Sequence, residues 1–142
     1  MQTSFPVAAG DFTKAGAASS EIKRMLKQLG IPQKTIKRIV VALFEAEVNV
    51  IAHSYGGDIS CDVTPQQVEI RVIDKGPGIP DLNLAMKEGW STASEEVREM
   101  GYGAGMGLPN IKKNADLLEI HTAANDHTDI RMTFFLDGDK EQ

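Results

Sequence analysis

Glycine is concentrated in one part of this sequence of 142 residues. Of its 13 glycines, seven lie between Gly76 and Gly107, and the last four alternate with other residues in the string GYGAGMGLPNI, residues 101–111. Glycine is unfavourable inside helices and strands because its backbone loses the most conformational freedom on ordering. Most of this window is therefore predicted to form loops, and the helices and the sheet must come mainly from the segments on either side of it.

The flanking segments show helical and strand periodicities. Apolar residues at helical spacing predict a first helix over Thr13–Leu29, which Gly30 ends. A second, mostly buried helix is predicted after Pro32, over Gln33–Ser54. The other predicted elements are strands over Asp58–Val63 and Gln67–Ile73, a helix from about Pro109 to Ala115, and strands over Leu117–Thr122 and Ile130–Leu136. Helices and antiparallel strands in this order predict an α+β layer sandwich.

The composition is that of an acidic globular protein. Hydrophobic residues make up 42% and charged residues 25%, close to the globular averages, so a disordered chain is not expected. Fifteen Lys and Arg against 20 Asp and Glu give a net charge of −5, which argues against a protein that coats nucleic acid. The single cysteine, Cys61, excludes an internal disulfide and a multi-cysteine zinc site.

The length and the distribution of apolar residues limit the organisation of the chain. At 142 residues we expect a single domain over residues 1–142. No run approaches the ~18 apolar residues that a membrane-spanning helix needs. The first ten residues lack the basic start and the apolar stretch of a signal peptide. We therefore expect a cytoplasmic protein that does not contact membranes.

The second predicted helix carries a polar stripe. Glu45 and Asn49 are four residues apart and share one face, which His53 continues. An asparagine oxygen is a suitable ligand for a hard cation with bound phosphates, and a glutamate can accept a proton. A solvated face or an internal hydrogen-bonded pair would give the same pattern, and we interpret His53 as a structural residue.

A carboxylate ends the predicted strand Gln67–Ile73. Asp74 opens the string DKGPGIPD, residues 74–81. Its carboxylate can accept a hydrogen bond from an exocyclic amine, while Gly76 and Gly78 allow the backbone to approach a flat ring closely. The segment fits either a corner that reads a nucleotide base or a tight turn after a strand.

The glycine loop runs into a helix that has Pro109 in its first turn. Unpaired backbone N–H groups at such a helix start, together with the helix dipole, form an anion site that needs no net positive charge. The P-loop string, the dinucleotide-binding glycine spacing and the strings of eukaryotic-type protein kinases are all missing. The alternative is a surface loop without a ligand.

These three signals occur once each and in a fixed order along the chain. Together they resemble the asparagine box and the two glycine boxes of the gyrase, chaperone, histidine kinase and MutL (GHKL) superfamily of ATP-binding proteins. The likeness covers about residues 12–136. DKGPGIPDLNLAMKEGWST and GYGAGMGLPNIKKNAD look most similar to anti-sigma-factor and switch-type serine-protein kinases. The resemblance implies the Bergerat fold, a two-layer α/β sandwich whose mixed, mostly antiparallel sheet is covered on one face by helices.

The resemblance assigns chemical roles to the matching residues. It implies ATP and Mg²⁺ as cofactors, Asn49 as the magnesium ligand and Glu45 as the general base. It also implies that Lys87–Met100 is a variable lid over the nucleotide. The phosphates would lie against the end of the glycine loop and the start of the helix, at Gly103, Gly105, Met106, Gly107 and Leu108.

The adenine pocket is implied in the same way. Asp74 would hold the adenine amine, with Gly76 and Gly78 beside the ring. Thr128 would support the same pocket, although His127 stands where the family pattern has glycine.

Three functions remain open on these residues. We favour a protein serine/threonine kinase, in which Glu45 takes the proton from a partner hydroxyl whose oxygen attacks the γ-phosphate. An ATPase of the gyrase or MutL kind would use Glu45 to activate water instead. A nucleotide-gated binding module, such as an anti-sigma factor without kinase activity, would use ATP only to set its conformation.

The resemblance also implies protein partners. The substrate would be a regulatory protein, an antagonist or a stressosome-like protein, in a bacterial sigma-factor or stress-type switch. Whether a sigma factor is bound, and whether two copies pair as a homodimer through the N-terminal strand, remain open. No direct contact with nucleic acid is expected.

Overall fold

A computed structural model describes residues 2–10, 14–53, 56–76, 107–122 and 127–136. The described segments contain three helices and five strands, in an order that begins and ends with a strand. In chain order they are β1 (Gln2–Val7), α1 (Ala17–Gln28), α2 (Gln33–His53), β2 (Gly57–Val63), β3 (Gln67–Asp74), α3 (Gly107–Asn114), β4 (Leu117–Thr122) and β5 (Thr128–Phe135).

The described strands form one five-stranded sheet in the order β1-β2-β3-β5-β4. All four pairings are antiparallel. Alternate residues of β3, such as Val68 and Ile70, are buried together with apolar residues of all three described helices, among them Ile22, Leu43 and Ile111. The residues between them, Glu69 and Arg71, lie on the other face and are less buried. The sheet is thus covered on one face by helices, which confirms the predicted α+β sandwich.

The α2 helix is the central helix of the covering layer. It contacts α1 on one side, α3 on the other, and the sheet beneath. Its buried residues recur at helical spacing, with Ile39, Leu43, Ala46 and Val50 all fully or almost fully inaccessible to solvent. The prediction of a mostly buried second helix is confirmed. No helix in the described segments is long and apolar enough to cross a membrane.

The N-terminal part of the chain differs from the sequence prediction. Strand β1 was missed, because its six residues include an edge-strand proline, Pro6, and its inward side chains are only Thr3, Phe5 and Val7. The α1 helix begins at Ala17 instead of Thr13. The reason is the turn at Gly16. The backbone of Gly16 is left-handed, and its N–H group donates a hydrogen bond to a carboxylate on α2.

That carboxylate belongs to Glu47, which is 2% exposed. Its two oxygens accept hydrogen bonds from the backbone N–H groups of Gly16, Ala18 and Ser19 at 3.1, 3.2 and 3.1 Å, and from the Ser19 hydroxyl at 2.7 Å. The first N–H groups of a helix have no partner within the helix. Glu47 therefore caps α1 from a neighbouring helix and attaches its N-terminus to α2.

Arg38 makes the corresponding attachment between α2 and the C-terminal end of α3. Its guanidinium donates to the Asn114 carbonyl oxygen at 3.1 and 2.7 Å and to Oδ1 of Asp116 at 2.9 Å. The other carboxylate oxygen of Asp116 accepts from the Phe135 N–H at 2.7 Å. The last turn of α3 is thereby fixed to α2 and, through Asp116, to the end of β5.

The capping carboxylate gives a test of the fold. Glu47→Ala leaves buried N–H donors without partners, and we expect it to lower the free energy of unfolding by about 2 to 4 kcal/mol. Urea unfolding followed by circular dichroism measures this loss. Glu21→Ala is the matched control, because Glu21 lies on the exposed side of α1 in a solvated pair with Arg24, and it should cost less than about 0.5 kcal/mol. Equal losses in the two variants would contradict the capping role.

Candidate functional site

Asp74 lies at the end of β3, opposite Thr128 of β5 in the strand register. Its Oδ1 atom accepts hydrogen bonds from the backbone N–H groups of Gly76, at 2.8 Å, and Thr128, at 3.1 Å. Burial raises the pKa of Asp74, and these two bonds and the nearby His127 offset part of that rise. Both of these bonds go to Oδ1, and no hydrogen bond joins Oδ2 to another of the described residues.

Thr128 is brought to this corner from the far end of the chain. It is 3% exposed, and its hydroxyl oxygen lies 2.8 Å from that of Thr122, its partner on β4. The structure therefore brings together three of the predicted pocket residues, Asp74, Gly76 and Thr128. The departure from the family pattern at His127, an exposed residue, does not disturb this placement.

Close backbone packing shapes the turn after Asp74. Gly76 has φ of 109°, in the left-handed region that glycine favours. A Cβ atom at Gly57, on the neighbouring strand, would collide with the Ile73 carbonyl oxygen. The Lys75 N–H also donates to the Gly56 carbonyl oxygen at 2.9 Å. Gly57 was not predicted to be part of this corner, although the Gly-Gly pair at 56–57 is a signal in the sequence that marks it.

Glu45 lies where α2 packs on α3. It is half-buried, and its side chain is hydrogen-bonded to the side chain of Asn110 on α3. Burial raises the pKa of the Glu45 carboxyl, and the bond to Asn110 lowers it in part. Asn49, one turn further along α2, is also half-buried. The predicted base is thus placed beside the helix start where the glycine loop ends.

Asn110 is a second residue that sequence reasoning missed. It follows Leu108, which is 6% exposed, and Pro109 in the string GLPNI at the start of α3. The signal that could have identified Asn110 was its position in that string, because it is a polar residue among apolar ones. Two of these apolar residues, Leu108 and Ile111, are buried.

The residues present can accommodate magnesium with phosphates. In the described part of the chain no group of three or more His, Cys, Asp or Glu side chains comes together as a metal site. Mg²⁺ is commonly held by one or two protein oxygens, with phosphates and water completing its coordination. A single amide oxygen, that of Asn49, is compatible with such a site.

Some predicted site residues lie outside the described residues. They are Gly78, Gly103, Gly105 and Met106, and the segment Lys87–Met100 that was predicted to be the lid. The side chain of His53 also lies outside the part of the protein that the structure describes. Gly107 is described as the first residue of α3, and Leu108 follows it as a buried residue of the first turn.

A family model described as the histidine kinase-like ATPase domain matches residues 9–134. This chain belongs to that family. A histidine kinase-like ATPase domain binds ATP, so the resemblance that the three sequence signals indicated is confirmed at the level of the family and its cofactor.

Two curated relatives indicate the branch of the family to which this chain is similar. The chain is 31% identical over 128 residues to a protein named anti-sigma F factor from Thermoanaerobacter sp., which covers 87% of this chain and 86% of the relative. It is 28% identical over 113 residues to the serine/threonine-protein kinase RsbT of Bacillus subtilis, with 77% and 79% covered. These relatives confirm the predicted similarity to the anti-sigma-factor and switch-type serine-protein kinases of the family.

A solved structure shares the fold. The crystal structure of RsbU and RsbW domains from Mycobacterium tuberculosis superimposes with a TM-score of 0.64 at 16% sequence identity. The superposition covers 94% of this chain but 31% of that longer chain.

The raised pKa of Glu45 predicts a pH-dependent stability. The folded protein keeps the Glu45 proton to higher pH than the unfolded chain does, so the ionised, half-buried carboxylate costs stability at neutral pH. Well below the ordinary glutamate value of 4.5 both states are protonated and the cost disappears. We expect Glu45→Gln to raise the urea midpoint at neutral pH and to leave it unchanged in acid.

The matched control for this prediction is Glu21→Gln, on the exposed side of α1, which should leave the midpoint unchanged at both pH values. A Glu45→Gln effect of equal size in acid and at neutral pH would show that burial of the charge is not its cause.

Proposed function

We propose that this chain is a protein serine/threonine kinase that phosphorylates a regulatory partner in a bacterial sigma-factor or stress-type switch. Membership of an ATP-binding family supports the phosphate donor. The names of the relatives support both the reaction and the biological setting. The observation that carries the proposal is the placement of Glu45, held by Asn110 at the start of α3.

Glu45 is the proposed general base. A carboxylate whose pKa is raised by burial is a better proton acceptor near neutral pH than an ordinary one. It would accept the proton of a partner serine or threonine hydroxyl as that oxygen attacks. ATP supplies the phosphoryl group, and magnesium, with Asn49 as its protein ligand, would neutralise charge on the phosphates.

The phosphates are proposed to lie at the N-terminus of α3. The first N–H groups of a helix lack partners within the helix, and the helix dipole favours an anion there. Leu108 and Gly107 belong to this first turn. Gly103, Gly105 and Met106 are assigned to the same site on the family resemblance. An acidic protein can bind phosphates in this way without a cluster of basic side chains.

Adenine is proposed to bind at the Asp74 corner. Oδ1 of Asp74 is held by the Gly76 and Thr128 N–H groups, so Oδ2 would accept the hydrogen bond of the adenine amine. Gly76 and Gly78 would leave room for the ring, and Thr128 would support the pocket wall.

A binding module without kinase activity is the second candidate. It is favoured by the name anti-sigma F factor of a relative that covers most of the chain. In that case ATP would select the conformation that binds a partner, such as a sigma factor, and Glu45 would not transfer a proton. Incubation with labelled ATP, magnesium and candidate partners encoded nearby separates the two.

The adenine site predicts a specific loss of affinity. An asparagine at position 74 must direct its amide hydrogens either at the Gly76 and Thr128 N–H groups or at the adenine amine, so a donor faces a donor in both orientations. We expect Asp74→Asn to weaken ATP and ADP binding by about 10- to 100-fold, as the loss of a hydrogen bond to a charged group implies. Isothermal titration calorimetry measures it.

Asp58→Asn is the control for this substitution. Asp58 is an exposed residue of β2 and lies opposite Ile73, the residue that precedes Asp74 on β3. Its replacement should leave the affinity for ATP and ADP unchanged. Near-normal nucleotide binding by Asp74→Asn would remove Asp74 from the adenine site.

The proposed roles of Glu45 and Asn49 predict different phenotypes. Glu45→Gln removes the base and should lower phosphate transfer to a partner by about two to four orders of magnitude, with nucleotide affinity nearly intact. Asn49→Ala removes a ligand that acts before and during transfer, so it should weaken magnesium and nucleotide binding together. Initial rates of transfer and calorimetric titrations distinguish them. Wild-type transfer by Glu45→Gln would exclude Glu45 as the base.

A further inference from the structure

Asn110 stands between the proposed phosphate site and the proposed base. It is half-buried near the start of α3, and its side chain is hydrogen-bonded to Glu45 on α2. An ionised carboxylate can only accept hydrogen bonds, so the Asn110 Nδ2 group donates in this pair. The backbone carbonyl oxygen of Asn110 accepts a bond from Nδ2 of Asn114 at 2.8 Å, one turn along the same helix. The position of Asn110 therefore depends on the position of α3.

The α3 helix is attached to α2 at both of its ends. Arg38 binds the Asn114 carbonyl oxygen at the C-terminal end, and Glu45 binds Asn110 near the N-terminal end. Arg38 and Glu45 are seven residues apart on α2, which is two helical turns on one face. Between these attachments Ile111 is completely buried in the core. The two helices therefore pack antiparallel, and a shift of the first turn of α3 acts directly on the partner of Glu45.

We infer that Asn110 is a positioning residue, which orients the Glu45 carboxylate and couples that orientation to the turn of α3 that receives the phosphates. The inference rests on the function proposed above. A carboxylate with one oxygen bound to Asn110 keeps its other oxygen for the hydroxyl proton. Because the same turn binds the phosphates and carries Asn110, the arrangement of the base is tied to the arrangement of the phosphoryl donor.

The test compares two substitutions at position 110. Asn110→Ala removes the donor, and we expect kcat for partner phosphorylation to fall about 10-fold with little change in KM for ATP. Asn110→Asp keeps the shape but sets a second carboxylate against Glu45, and we expect a fall of about 100-fold. If Asn110 only filled space, the isosteric aspartate would be the milder change. A carboxylate also suits the start of a helix, so impaired folding would not produce the expected order.

Asn114→Ala is the matched control on the same helix. Its side chain binds the backbone carbonyl oxygen of Asn110 and not Glu45, so kcat should stay within about twofold of the wild type. A milder effect of Asn110→Asp than of Asn110→Ala, or a rise in KM that accounts for the whole loss, would overturn the inference.

A readout that needs no phosphorylation separates this inference from the proposed function. In ¹⁵N-resolved NMR spectra of the nucleotide-free protein, the side-chain amide signals of Asn110 should shift in Glu45→Ala and stay in place in Glu21→Ala. If the wild type phosphorylates no partner, the kinase proposal fails, and a shift in this experiment still supports the positioning of Glu45 by Asn110. Unshifted Asn110 signals in Glu45→Ala would refute the pairing whether or not the protein is a kinase.

Discussion

The buried carboxylate of Glu47 accepts four hydrogen bonds, all from residues at the start of α1, and these bonds offset the cost of burying its charge on α2. Two other polar side chains of the same helix impose similar conditions. Arg38 needs the last carbonyl of α3, and Glu45 is bonded to Asn110 near its first turn. Each of these three polar groups on α2 thus links the helix to a specific part of a neighbouring element. Apolar packing alone would tolerate small sliding movements of the helices, whereas these bonds do not.

The same helix combines structural and proposed catalytic roles within three residues. Glu47 faces α1 and accepts hydrogen bonds from its start, while Glu45 faces α3 and is bonded to Asn110. Two neighbouring carboxylates therefore differ because of what surrounds them and not because of their chemistry. The carboxylate of Glu47 is occupied by donors from the start of α1. That of Glu45 is half-buried and faces α3, and it is the one proposed to act as the base.

The sequence predicted the helices and strands whose apolar residues recur with a clear period. It also predicted which residues lie together on one helix or strand. Glu45 and Asn49 were placed correctly on one helix because four residues make one turn. The meeting of Asp74 with Thr128 depended on the family resemblance, since strand register cannot be derived from alternation. Glu47 was missed because it was counted within an apolar helix, although a charged residue at a core position demands a partner. Strand β1 was missed because three inward residues are too few to show a period.

The pairing of β3 with β5 has a consequence for how the chain is made. Asp74 accepts a hydrogen bond from a residue 54 positions later, so the proposed base-binding corner does not exist until β5 has been synthesised and has joined the sheet. A nascent or truncated chain without β5 would bury part of the helical layer and still lack the pocket. Nucleotide would then favour completed molecules over partly folded ones, by the mass action that links ligand binding to folding. In the cell, the ATP pool would act as a selective stabiliser of chains that have closed this last strand pair.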